Sequence, residues 1–188
     1  CRNLSYSPES GSPSVLARIK KKIKVNSVVK SINASYRKGL NVKCNIIFGF
    51  PGETLREVFE SYWFIMRMAF AGAFDISVWA FSPYPGSELF DEIKREKGLT
   101  LDDTYYDSLR SYADPGNTVS YSEHFSDKQL KILRQVGVLI FYLTSWSIRP
   151  YRPFKIVINV LRNKQESRAE MGILNVLRRN RLKTTPVN

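Results

Sequence analysis

The chain has 188 residues, 43% of them hydrophobic and 24% charged, with a formal net charge of +12 at neutral pH. That composition excludes a disordered segment and suits one domain, or one domain with a helical appendage. Two cysteines, Cys1 and Cys44, exclude a disulfide framework and point to a reducing compartment, so a cytoplasmic location is expected.

Asn3–Tyr6 reads as a short strand, with its exit turn over Ser7–Ser12. Ser12 is placed to cap a helix whose first residue is Pro13, where a missing N–H costs nothing. Val15, Leu16, Ile19 and Ile23 then recur on one helical face. A second short helix turns Val28, Val29, Ile32 and Tyr36 inward and ends at Gly39 as a left-handed cap. Val42–Phe48 reads as a buried strand, rich in β-branched and aromatic residues and closed by Gly49-Phe-Pro-Gly52. Its alternation sets Val42, Cys44, Ile46 and Phe48 against outer helices, and turns Lys43, Asn45 and Ile47 to the other face. Cys44 therefore reads as a small core residue rather than a metal ligand.

Thr54 and Glu57 have the spacing of a capping box, so a helix is predicted from Thr54 to about Ala71. Leu55, Val58, Phe59, Tyr62, Met66 and Ala69 are its expected buried side, and Gly72 its stop. Asp75–Phe81 reads as a further strand, with Ser77, Trp79 and Phe81 on one face and Ile76, Val78 and Ala80 on the other. Ser87 caps a helix through Leu89, Phe90 and Ile93 to Gly98.

Leu99–Phe125 shows no clear periodicity, and Pro115-Gly116 marks a turn within it. Tyr105, Tyr106, Tyr112, Tyr121 and Phe125 are expected to cover one end of the sheet as a lid. His124 is the sole histidine, and packing or surface exposure is expected of it before catalysis. Ser126–Gln129 forms a second capping box, opening a helix to about Trp146. The apolar run Val136–Trp146 falls well short of the ~18–20 residues that span a bilayer. Pro150 and Pro153 break the chain. Two more helices follow, one carrying Phe154, Ile156, Val157, Val160 and Leu161, the other Met171, Ile173, Leu174 and Leu177. Each has an apolar stripe and a basic face. Docking on the core or on another domain is the first expectation, and peripheral contact with a membrane surface the second.

The charge is uneven. Ser10 to Gly52 holds nine basic residues and no acidic one, and Arg149 to Lys183 holds ten basic residues against Glu166 and Glu170. Such surfaces attract anions. Without aromatic interleaving or a recognised module, nucleic acid is not the expected partner, and a solvated face is the plain reading of the tail.

Strands alternating with helices imply parallel strands and right-handed crossovers, with ligands at the carboxyl ends of the strands. Three stretches at those ends also carry a resemblance. Asn45-Ile-Ile-Phe-Gly-Phe-Pro-Gly-Glu53 resembles the fifth-strand motif of radical S-adenosylmethionine enzymes. Ser7-Pro-Glu-Ser-Gly-Ser12, with Val15-Leu16 and Lys20-Lys21-Lys22 behind it, resembles their fourth-strand turn and helix. Phe81-Ser-Pro-Tyr-Pro-Gly-Ser87 resembles the sixth-strand exit. The style is closest to members with an N-terminal cobalamin-binding domain.

The resemblance implies an α/β fold: the last three units of a partial (βα) barrel over residues 1–98, then a lid-like loop and a basic helical extension over 99–188. It implies an enzyme that cleaves S-adenosylmethionine at a 4Fe–4S cluster to a 5′-deoxyadenosyl radical, as a cobalamin-dependent methyltransferase or cyclase acting on a small molecule. Within it, Glu9 would meet the ribose hydroxyls and Lys21 the methionine carboxylate. Asn45 would meet the adenine edge between the apolar walls Ile47 and Trp79, with Ser82 at the sixth-strand exit. The cluster's cysteine triplet, the first half of the barrel and any cobalamin domain are expected upstream, since two distant thiols do not hold a four-iron cluster. On this reading the chain is a C-terminal fragment without catalytic or metal-binding residues of its own. An RNA-modifying member of the family and a non-catalytic anion- or nucleotide-binding α/β domain are the alternatives.

Overall fold

A computed structural model describes residues 1–110, 118–164 and 166–184. The elements run β1 (Asn3–Glu9), α1 (Pro13–Arg18), α2 (Val25–Arg37), β2 (Asn41–Phe48), α3 (Leu55–Ala71) and β3 (Asp75–Ala80). Then come α4 (Glu88–Lys97), α5 (Asp103–Arg110), α6 (Asp127–Ile148), α7 (Tyr151–Leu161) and α8 (Arg168–Thr184). The strands form one sheet in the order β1-β2-β3, with both pairings parallel. The fold is mixed α/β, as the strand–helix alternation implies. Expected Tyr112 and Pro115-Gly116 lie outside the described residues.

β2 is the middle strand, and its alternation decides where the core lies. Val42, Cys44, Ile46 and Phe48 are 0% exposed. They pack under Ile32 of α2, Val58, Ile65 and Met68 of α3, and Leu130 and Phe141 of α6. Each large side chain so buried stabilises by about 1.5–3 kcal/mol relative to exposure. Ile76, Val78 and Ala80 continue this layer onto β3. On the far side of β3, Arg134 of α6 donates from Nε to the Val78 carbonyl at 3.1 Å and from Nη1 to Thr118 Oγ1 at 2.7 Å. A side chain thus satisfies a strand carbonyl where a fourth strand would otherwise pair.

Several expectations need correction. β1 runs to Glu9 rather than Tyr6, because its pairing with β2 resumes at Glu9 opposite Ile46 after a break in register past Tyr6. Pro8 sits inside that irregularity, where its missing N–H is tolerated. α1 stops at Arg18, short of Ile23, and Lys20 follows at φ 55°. α3 begins at its capping box and buries Val58, Tyr62 and Ala69 as expected, but its buried side is shifted: Leu55 and Phe59 are exposed, while Glu57, Ser61, Phe64, Ile65 and Met68 are buried. Polar contacts from β1 and α1, described below, pull Glu57 and Ser61 inward. The segment read as aperiodic contains a helix, α5, and its Tyr106 is exposed.

The C-terminal end of α3 is held by arginines from the α6–α7 junction. Arg149 donates to the Ala69 and Phe70 carbonyls at 3.0 and 3.2 Å. Arg152 is buried and donates to the Ala73 and Gly72 carbonyls at 2.6 and 3.1 Å. Cations on the free carbonyls of a helix end satisfy orphan acceptors and complement the helix dipole. α7 meets α8 through Asn159, whose Nδ2 donates to Glu170 Oε1 at 2.7 Å. α7 was expected to dock by its apolar stripe. Ile156 and Val160 of that stripe are half-buried, but Arg152 and Asn159 take the buried positions, and Phe154, Val157 and Leu161 are exposed.

Candidate functional site

The carboxyl ends of β1, β2 and β3 lie side by side, and the turn leaving β1 is fixed to α3. After β2, Gly49 takes φ 85°, and a Cβ there would stand 2.7 Å from Leu130 Cδ2. Only glycine fits both the backbone and the space. Glu53 is fully buried beneath this turn, where its Oε2 accepts from the amides of Gly49 at 2.6 Å and Phe50 at 3.3 Å. Its Oε1 has no partner. Burial raises the Glu53 carboxyl to about 7, against the two backbone hydrogen bonds that favour its charge.

The β1 turn is stitched to the first turns of α3. Gly11 N donates to Ser61 Oγ at 3.0 Å, and a Cβ on Gly11 would lie 2.4 Å from Phe64 Cβ. Ser12 Oγ donates to Glu60 Oε2 at 2.5 Å and Ser14 Oγ to Glu57 Oε1 at 2.6 Å, while Arg18 Nη2 lies 3.2 Å from Glu57 Oε2. Burial works against the Glu57 charge, but the bonds from Ser14, the Thr54 amide and Arg18 outweigh it and hold the carboxyl at about 2.

On the face opposite the core, Asn45 sits at the centre of a polar row across the sheet. Its Nδ2 donates to Ser5 Oγ at 3.1 Å and Ser7 Oγ at 3.0 Å, and its Oδ1 accepts from Trp79 Nε1 at 3.4 Å. Ile47 is in register with half-buried Trp79. It also packs on a second apolar cluster of Val15, Phe50, Phe81, Ile93 and Tyr121, which closes the strand ends. Glu9, at φ 70°, is in register with Ile46 and pairs with Lys21 at 3.2 Å. Of the three consecutive lysines, Lys21 faces this exit, Lys20 pairs with Glu88, and Lys22 is exposed. Ser82 is buried at the β3 exit with an unpartnered Oγ.

The six residues singled out in the sequence therefore form two contacting sets. Asn45, Ile47 and Trp79 share the open face, Glu9 and Lys21 pair at the β1 exit, and Ser82 stands apart with no hydrogen-bonded link to either. Ser5 and Ser7 were missed, and Ser77 was placed on the Trp79 face without a role in the site. Ser5 and Ser7 alternate with Leu4 and Tyr6, a period-2 signal that a turn reading of Ser7-Pro8 hides. Ser77 is in register with Asn45, fully buried, and its Oγ has no partner. Beyond the turns, Glu123 Oε2 accepts from Gly52 N at 2.7 Å and Lys97 Nζ donates to the Tyr121 carbonyl at 2.7 Å. The first ties the expected lid to the turn leaving β2, and the second ties it to the end of α4. A cleft of about 900 Å³ opens on this rim between Arg18–Lys20, Pro51-Gly52, Ser87–Leu89 and Glu123-His124, and none of the six residues lines it.

Among the described residues no group of three or more His, Cys, Asp or Glu is arranged to hold a metal ion. Cys44 lies in the core, where burial and then Asp75 push its thiol up to about 12. It stays a protonated packing group at neutral pH. Cys1 is exposed.

No family model matches the chain. The chain is similar to an uncharacterized methyltransferase of Pyrococcus horikoshii, with 29% identity over 147 residues. The match covers 76% of this chain and 29% of that protein, so the chain spans less than a third of the relative's length.

Proposed function

We propose that the exits of β1–β3 bind S-adenosylmethionine and that the chain is the nucleoside-binding part of a methyltransferase. The observation that carries this reading is the Asn45 amide, held on an open sheet face by Ser5, Ser7 and Trp79 beside the Glu9–Lys21 pair. The two N–H donors of that amide are taken by Ser5 and Ser7, so it offers a purine amino group the second lone pair of Oδ1, and Ile47 and Trp79 supply apolar walls. A carboxylate accepts from the two hydroxyls of a ribose, which is the role for Glu9. Lys21, freed from Glu9, meets the carboxylate of the methionine part. The unpartnered hydroxyls of Ser77 and Ser82 fit a ligand rich in hydrogen-bonding groups. Similarity to the Pyrococcus protein, named a methyltransferase, supports the reaction class.

The finer reading is a radical S-adenosylmethionine enzyme whose sheet is the last part of a partial (βα) barrel, with cobalamin as a further cofactor of the whole protein. The three motifs that resemble that family fall at three successive strand exits, which supports it. Bound S-adenosylmethionine supplies an activated sulfonium carbon. This chain's residues orient the nucleoside and exclude water from its base. They do not fit a four-iron cluster: Cys1 and Cys44 are the only thiols, and Cys44 is sealed in the core.

A hydrogen-exchange footprint tests the proposal. S-adenosylmethionine, and S-adenosylhomocysteine as its stable analogue, should slow exchange over residues 5–10, 45–50 and 79–83. Unchanged exchange there at saturating ligand, or slowing confined to other segments, would reject it.

A further inference from the structure

α7 buries two polar residues and carries most of its large apolar side chains outward. Arg152 and Asn159 are buried, at 7% and 6% exposure, while Tyr151, Phe154, Val157, Ile158 and Leu161 stand 46–81% exposed. At about 100° per residue these five side chains fall within an arc of about 120°, without a polar interruption. The helix cannot roll to bury them. Arg152 is bonded to the Ala73 and Gly72 carbonyls and to Ser145 Oγ, and Asn159 to Glu170. Rolling would break these bonds and leave the Ala73 and Gly72 carbonyls and the Glu170 carboxylate without them. The hydrogen bonds that dock α7 therefore also aim its apolar face outward.

The charge around that face is predominantly positive. α7 itself holds no carboxylate, and Lys155, Arg162 and Lys164 lie on it or directly after it, all exposed. Of the two acids between Arg149 and Lys183, Glu170 is buried, accepting from Asn159 and from the Ser167 amide at 2.7 Å. The other, Glu166, pairs with Lys155 at 2.8 Å. Ten basic residues in that stretch leave a strong positive excess. A short helix with a flat apolar stripe and a cationic surround fits the boundary between anionic headgroups and acyl chains. Among the described residues no helix is long and apolar enough to cross a membrane, so the contact is with the surface.

We propose that α7 docks the chain on an anionic lipid surface, with Tyr151, Phe154, Val157, Ile158 and Leu161 in the interfacial plane and the basic residues on the headgroups. The proposal is independent of the ligand assigned to the sheet.

Vesicle flotation of the 188-residue chain tests it. Phosphatidylcholine vesicles with about 30% phosphatidylglycerol should carry the chain upward, and pure phosphatidylcholine vesicles should carry about ten-fold less. Replacing Phe154→Gln and Leu161→Gln together should cut flotation on anionic vesicles by about ten-fold or more at unchanged charge. Both side chains are exposed, so the thermal melt of the double variant should match the parent. Absence of flotation on anionic vesicles overturns the proposal. So does equal flotation of parent and double variant, which would mean attachment by charge alone. Sedimentation velocity covers the remaining occupant: a dimer of the parent chain that the double variant abolishes would assign the stripe to a second copy and overturn the lipid surface.

Discussion

The two faces of β2 come from one alternating run and behave as different materials. On one face Val42, Cys44, Ile46 and Phe48 are sealed under three helices. On the other, Asn45 makes three hydrogen bonds to Ser5, Ser7 and Trp79 at positions that solvent reaches. A sheet covered on both faces reads as a continuous apolar run, whereas strict alternation marks a face left for something else. The packed face holds the strand in place, and the open face is free to carry groups that a core would exclude. Substitutions on the first should therefore move stability, and substitutions on the second should move binding.

Phe48→Ala sharpens the comparison with the largest expected effect. Phe48 is fully buried, with its ring 5.5 Å from that of Tyr62 in an edge-on arrangement. Truncation should lower unfolding free energy by about 3–5 kcal/mol in urea melts. A loss below about 1 kcal/mol would show that the packed face is not the stabilising one.

Glu53 is the polar intruder on the packed side, and pH exposes it. Its folded carboxyl is raised to about 7 from the usual 4.5. The proton is therefore held more tightly in the folded state, so the stability it contributes is complete below pH 4.5 and is lost as pH rises towards 7. Glu57 runs the other way: held at about 2, it contributes stability above pH 4.5 that is lost as pH falls through 2. Glu53→Gln keeps an acceptor for the Gly49 and Phe50 amides and removes the buried charge. It should match the parent near pH 4 and exceed it by about 2–3 kcal/mol at pH 8. Parallel stability curves for the two proteins would show that Glu53 ionises without penalty.

Much of this was legible in the sequence, where the local signal and the tertiary demand agree. The β2 alternation and the Thr54 and Ser126 capping boxes are local patterns that the packing keeps. Sequence reading failed where hydrogen bonds overrode hydrophobic periodicity. Glu57 and Ser61 face inward because Ser14, Arg18 and Gly11 meet them there, so Leu55 and Phe59 are left outside. Arg152 and Asn159 take the buried positions of α7 for the same reason. Asn45, Ile47 and Trp79 could be grouped by counting in twos, but their link to Ser5 and Ser7 needed the strand register, which sequence does not supply.

The measurement that tests the central claim most directly is calorimetric titration with S-adenosylmethionine of the parent chain, Asn45→Ala and Cys44→Ala. The two residues are neighbours on opposite faces of one strand. Asn45→Ala should weaken binding by roughly 1–3 kcal/mol, because the groups that pair with its amide lose their partner. That is about one to two decades in Kd. Cys44→Ala should leave Kd within about two-fold and lower the melting temperature instead, as a small core truncation. A Kd unchanged by Asn45→Ala and raised by Cys44→Ala would contradict the assignment of the two faces, and with it the proposed nucleoside site.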